Sequence, residues 1–323
     1  MRKLIVLWLV LLGGCGQAVV PGSPEACAVH KVTEVPLIPP SPPATTRWSI
    51  AMTLDGKPVT MMLDSGATGL MIDAEVAARL GLRQRSDMRA FASGLGGTVY
   101  RRVFEVVAVG IGSQVTERDQ IIIEMTESQA AGRGFDGIVG MRAFERNDIE
   151  IDFPARTMRL YRARFCPAGS PPWPAGFGTF PRAGRQSGDN RPMVAVTLDG
   201  RTVKALVDTG ATTTVVDHSF AKTVGARDAP PPGARQGTMR TMSEATVPMW
   251  QHRFGAADIV GLRFPAPNIW ILDLGMTADM VVGLDILART RIWISNGSDA
   301  VYVARGGARG GAPSGAPGGP PPR

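Results

Sequence analysis

Thr197–Asp217 reads T-L-D-G-R-T-V-K-A-L-V-D-T-G-A-T-T-T-V-V-D, and 144 residues earlier Thr53–Asp73 reads T-L-D-G-K-P-V-T-M-M-L-D-S-G-A-T-G-L-M-I-D. Ten of these 21 aligned positions are identical, and most of the others keep their character. An internal repeat has to be read before anything else, because it fixes the architecture. The interval is far too long for a solenoid. It implies two homologous halves that face each other.

Each copy has the same physical grammar. Asp55-Gly56 and Asp199-Gly200 sit between alternating apolar residues, the pattern of a tight β-hairpin. The second strand of each hairpin, Val59–Leu63 or Val203–Val207, runs apolar into an aspartate. Gly66 and Gly210 then permit a sharp turn, and a second apolar run follows: Leu70-Met71-Ile72 or Val215-Val216. Each half therefore offers one carboxylate on a loop between two buried strands. A charge in that position is costly unless something pairs with it. If the halves are related by a pseudo-twofold axis, Asp64 and Asp208 meet. Two carboxyls in contact do not both ionise easily; they share a proton and titrate in two separated steps. One group can then take a proton from water while the other gives one to a carbonyl.

The tetrapeptides Asp64-Ser65-Gly66-Ala67 and Asp208-Thr209-Gly210-Ala211 resemble the active-site loops of retropepsin-like and pepsin-like aspartic proteases. A second feature of that family lies some 73 to 76 residues after each aspartate. It is an apolar pair followed by Gly, here in Asp136-Gly137-Ile138-Val139-Gly140 and Asp279-Met280-Val281-Val282-Gly283. One Asp-Thr-Gly arises easily by chance; two, each with this follower, do not. The resemblance covers Val35 to Arg305. It implies an all-β, bilobal fold of two barrel-like lobes with short helices and the active site between them. It also implies catalysis by Asp64 and Asp208 through an activated water, with no metal or cofactor. Ser65 and Thr209 would make cross-lobe hydroxyl contacts, and Gly66 and Gly210 would shape the loops. Ala67 and Ala211 follow the retroviral pattern and lack the hydroxyl that pepsins usually carry there. One donor to each carboxylate is lost, so the pair should be less acidic and its optimum nearer neutral.

The chain has 323 residues, a formal net charge of +7 and three cysteines. Its glycines and prolines concentrate in the terminal and linker segments. Arg2 and Lys3 precede the apolar run Leu4–Leu12, too short for a spanning helix and suited to a signal peptide. Leu12-Gly13-Gly14-Cys15 resembles a bacterial lipoprotein box, with Cys15 as the lipidation site; an ordinary signal peptide with an incidental cysteine is the other reading. The residue after Cys15 is not Asp, which favours the outer membrane on the periplasmic side. Cys27 and Cys166 would then form a bridge or remain two thiols. The organisation expected is 1–14 signal peptide, 15–34 lipid anchor and tether, 35–165 first lobe, 166–176 linker, 177–304 second lobe and 305–323 a disordered Gly/Pro/Arg tail. The arginines are scattered rather than clustered with aromatics, and no recognition helix or zinc spacing appears. The charge thus points to anionic lipid headgroups rather than nucleic acid.

Within the lobes, Ala74–Leu80 and His218–Val224 have helical composition and end at Gly81 and Gly225. Val35-Pro36-Leu37 and Gly178–Pro181 are expected as matching first strands. His218 is expected to be structural. The glycine-rich tip Gly94-Leu95-Gly96-Gly97 resembles a retropepsin flap that covers bound substrate; a flexible hairpin without contacts is the other reading. Gly237–Val247 would be its counterpart, with Met239 and Met242 lining apolar subsites or packing in the core. The leading function is an aspartic endopeptidase acting on a peptide or protein substrate as a monomer. Its rivals are a non-catalytic peptide-binding module on the same fold and lobes that pair between chains.

Overall fold

The computed structural model describes residues 28–40, 47–126, 134–164, 171–174, 176–183, 189–241 and 243–306. The signal peptide, Cys15, Cys27, Cys166, Met242 and the tail beyond residue 306 lie outside the described residues. The protein is all-β with two curled lobes, as the repeat implies.

In the first lobe, Ser49–Leu54 pairs with Lys57–Leu63 through the Asp55-Gly56 turn. Both turn residues have positive φ, 48° and 77°, as the tight hairpin geometry requires. Asp199 and Gly200 repeat it at 48° and 76°, between Met193–Leu198 and Arg201–Val207. Six strands close the first lobe into a barrel in the order 49–54, 57–63, 137–139, 70–72, 114–124 and 103–111. The second lobe is a nine-stranded sheet. Here the chain passes directly from strand Thr246–Arg253 to strand Ala256–Ile259, which stand near opposite ends of the sheet. That short crossing curls the sheet without closing its hydrogen bonding.

The two apolar-apolar-Gly segments have one structural task. Gly137–Val139 runs parallel to Lys57–Leu63 and antiparallel to Leu70–Ile72, so it fills the gap between the strands that flank Asp64. Met280–Val282 does the same around Asp208. The glycine that ends each segment lies under the aspartate loop. A Cβ at Gly140 would stand 2.6 Å from the carbonyl oxygens of Ala67 and Gly69. One at Gly283 would stand 2.7 Å from the carbonyl oxygen of Thr213. The expected short helices follow at Ala74–Arg79 and His218–Thr223, capped by the Asp73 and Asp217 side chains.

A six-stranded sheet underlies both lobes, in the order 28–36, 157–164, 148–152, 290–295, 300–305 and 177–181. Its central pairing, Ile149 with Ile294 and Ile151 with Ile292, joins the lobes. All four isoleucines are buried, each worth about 1.5–3 kcal/mol of hydrophobic stabilisation. The buried Glu150 in this sheet accepts from Arg159, Arg291 and Tyr161, so its charge is paired. The first strand begins at Ala28 rather than Val35 and takes in residues the sequence reading left to the tether. Its backbone pairing with Thr157–Arg164 holds it at the sheet edge, with Val35 buried. Phe177–Pro181 forms the opposite edge.

The packing under the aspartate loops gives a direct test. Gly140→Ala should lower stability by about 1–3 kcal/mol, measured by urea denaturation of the full chain. Gly69→Ala, where a Cβ meets nothing within 4 Å, should stay within about 0.5 kcal/mol. Equal effects would show that the loop does not rest on Gly140.

Candidate active site

Asp64 and Asp208 each leave a buried apolar strand and enter a glycine turn at the seam between the lobes. The turns bind their own aspartates. Asp64 Oδ1 accepts from the N–H of Gly66 at 2.9 Å and of Ala67 at 3.0 Å. Asp208 Oδ1 accepts from Gly210 at 2.7 Å and Ala211 at 3.2 Å. No hydroxyl follows either glycine, so backbone donors carry this contact.

The neighbouring hydroxyls bind the loops to one another. The Ser65 N–H donates to Thr209 Oγ1 and the Thr209 N–H donates to Ser65 Oγ, both at 3.0 Å. Each hydroxyl then donates across the seam: Ser65 to the Val207 carbonyl at 2.7 Å, Thr209 to the Leu63 carbonyl at 2.8 Å. Both residues are 1% exposed, so all four bonds are shielded from water. Gly66 and Gly210 are required by the same approach. A Cβ on Gly66 would lie 2.5 Å from the Asp208 carboxyl carbon, and one on Gly210 would crowd Asp64 equally.

The two carboxyls come within hydrogen-bonding reach of each other. They keep some surface open to the cleft, yet protein surrounds them on every other side. Burial raises Asp64 well above the ordinary carboxylate range, and the charge of Asp208 and the hydrogen bond to it raise it further. Burial also raises Asp208, against the N–H of Gly210, the hydrogen bond from Asp64, the N–H of Ala211 and the charge of Arg47. The pair therefore keeps one shared proton and carries a single negative charge.

The pair forms the floor of a cleft of about 970 Å³. Its walls repeat across the seam. Met62, Met71 and Ile138 belong to an apolar cluster on one side, and Leu206, Val215 and Val281 to its counterpart on the other. The hairpin Ala90–Gly94/Gly97–Arg101 projects over the cleft. Gly94 and Leu95 line it, and Leu95 packs against the second lobe's cluster beside Met239 and Met276. The Gly96 carbonyl accepts from Ser243 Oγ at 2.7 Å, and a Cβ on Gly96 would collide with Thr241. Gly96 and Gly97 have φ of 86° and 112°. The glycine tip thus has contacts and reaches the opposite lobe, while a Cβ on Gly97 would meet nothing within 4 Å. The expected counterpart is the hairpin Gln236–Arg240/Thr246–Arg253. His218 lies outside the cleft, edge-on to Trp250 at 5.0 Å.

Two cleft residues escaped the sequence reading. Arg47 and Arg191 both line the cleft and both act electrostatically with the two aspartates. The signal was present: they stand 144 residues apart, the interval of the repeat.

An acid pair that keeps one proton should couple protonation to stability. Folding raises the Asp64 value, so the contribution is in full below the unfolded value, about 3.9. It is lost as pH rises through the folded value. Asp64→Asn, which has no proton to lose, should therefore melt higher than the wild-type chain at about pH 8, with the advantage shrinking towards about pH 4. Thermal denaturation followed by circular dichroism reads this, and a pH-independent offset would contradict the strained pair.

No curated relative matches the chain. A family model described as aspartyl protease matches residues 50–143 and again 194–286, together more than half of the sequence. Each match contains one aspartate loop and the apolar segment packed beneath it, so the chain belongs to the aspartyl protease family.

Proposed function

We propose that the protein is an aspartic endopeptidase with Asp64 and Asp208 as its catalytic pair. One observation carries this reading: two half-buried carboxyls, one from each lobe, meet on the floor of a cleft with matching apolar walls. A water between the carboxyls attacks the peptide carbonyl carbon. Its proton passes to Asp208, the ionised partner, while Asp64 donates its own proton to the carbonyl oxygen. The tetrahedral diol then collapses. Asp208 gives its proton to the departing amine nitrogen, and Asp64 recovers one from a diol hydroxyl. The pair returns to its starting state and nothing else is consumed. The apolar walls would take side chains on both sides of the scissile bond. Leu95 and its hairpin would close over them, excluding bulk water. Ser65, Thr209, Gly66 and Gly210 hold the geometry.

A fluorogenic peptide library, run with and without pepstatin, tests the activity. Asp208→Asn should leave the fold intact and remove cleavage; an active, pepstatin-sensitive Asn variant refutes the assignment. The active form carries one proton, so activity should fall on either side of the two titrations. Both aspartates are raised, so the maximum should lie above the range of an ordinary carboxyl. A maximum at strongly acidic pH would contradict the pairing.

The N-terminal sequence supports export and anchoring through a lipid on Cys15, on the periplasmic side of a bacterial membrane. Acylated full-length chain should partition into the detergent phase of Triton X-114 and Cys15→Ser into the aqueous phase. Equal partitioning would remove the anchor.

A further inference from the structure

Arg47 and Arg191 repeat the interval between Asp64 and Asp208. Each stands two residues before the first hairpin strand of its half, Ser49–Leu54 or Met193–Leu198. The seam therefore carries a symmetric pair of guanidiniums beside its symmetric pair of carboxyls. Their environments differ in one respect. Arg191 grips the Asp189 carboxylate with two parallel bonds, Nε at 2.9 Å and Nη2 at 2.7 Å. Asp189 corresponds by the same interval to Thr45, so the first half has no acid at that position. Among the described residues, no carboxylate lies within ion-pair distance of Arg47 and its buried Nε has no hydrogen-bond partner. Its guanidinium is left with the field of the aspartate pair, which carries a single negative charge.

A half-buried guanidinium without a partner is unfavourable in the empty cleft. It offers a planar fork of donors suited to a carboxylate. Beyond the two aspartates and this arginine pair, the ionisable residues lining the cleft are Arg142, Arg146, Arg240 and one acid, Glu145, so the balance stays positive. Arg142 and Arg146 line the same lobe and are exposed, while Arg240, on the facing lobe, is tied to Glu244 at 2.8 Å. Such a field draws acidic chains towards the seam.

We infer that the cleft selects peptides carrying a carboxylate near the bond to be cut, and that Arg47 is the group that recognises it. The inference rests on the peptidase reading for the substrate being a peptide. The apolar walls would take the side chains nearest the aspartates, and Arg47 would take the acid on the first-lobe side. The carboxylate could be an internal Asp or Glu side chain or a free C-terminus; Arg47 binds either through the same two-pronged contact.

The test is binding, read by fluorescence anisotropy on the full chain. Fluorescein-labelled decapeptides share one apolar sequence, with Glu, Gln or Lys placed at each position in turn. A second set compares free and amidated C-termini. At one or two positions, or at the free terminus, the carboxylate peptide should bind about tenfold tighter than its neutral twin. That ratio should fall towards one in Arg47→Gln and shrink at high salt. The inference is overturned by equal binding of charged and neutral twins at every position, by an unaltered ratio in Arg47→Gln, or by no binding at all. Hydrolysis of the same peptides reports separately on the reaction. Arg47-dependent binding without hydrolysis leaves the acidic preference standing and removes the peptidase reading. Hydrolysis that is indifferent to charge does the reverse.

Discussion

Four hydrogen bonds at the seam, made by the Ser65 and Thr209 hydroxyls and backbones, hold the two halves at the separation on which the site depends. Each hydroxyl accepts from the opposite loop's N–H and donates to a carbonyl one strand away. Neither can shift without leaving a buried backbone group unpaired, at about 1–3 kcal/mol each. This rigidity keeps Asp64 and Asp208 together even though bringing two carboxyls into contact is unfavourable. The repulsion is met by retaining one proton between them, the state in which one group can accept a proton while the other donates. The six-stranded sheet beneath supplies the base: its central Ile149–Ile294 and Ile151–Ile292 pairings fix the lobes before the loops are considered.

The parts of this arrangement governed by local backbone chemistry were legible in the sequence. Asp55-Gly56 and Asp199-Gly200 dictate their turns because both positions need positive φ. The segments ending at Gly140 and Gly283 were visible as a family feature, though the close approach that requires their glycines came only with the structure. The aspartate loops follow from both, and the repeat implies their meeting. What the sequence concealed depends on partners distant in the chain. The strand from Ala28 mixes valines with His30, Lys31, Thr33 and Glu34 in no strict alternation, and it forms where Thr157–Arg164 offers it an edge. Ala256–Ile259 and Leu262–Pro265 are short, and in their turn Val260 stands at positive φ where Asn or Asp is usual, which leaves Gly261 as its one signal. Arg47 and Arg191 sat among scattered arginines, and only the repeat interval, extended six residues upstream of the quoted stretch, singles them out.

The duplication also explains why the departures from symmetry carry information. Two identical halves would give two equivalent aspartates and no preferred home for the shared proton. Here the halves differ around that proton. Among the described residues Arg47 has no carboxylate within ion-pair distance and acts on both aspartates, whereas Arg191 is bound to Asp189. The cover differs too. A glycine tip in the first half carries Leu95 across to the apolar cluster of the second, while the second half's hairpin offers Thr241 and Ser243 as the place it lands. The first lobe supplies Arg47 and the glycine-tipped hairpin. The second supplies the Arg191–Asp189 pair and the Thr241 and Ser243 side chains that the hairpin meets. A fold built from two copies thus becomes a cleft with distinguishable ends, able to receive an extended chain in one direction rather than either.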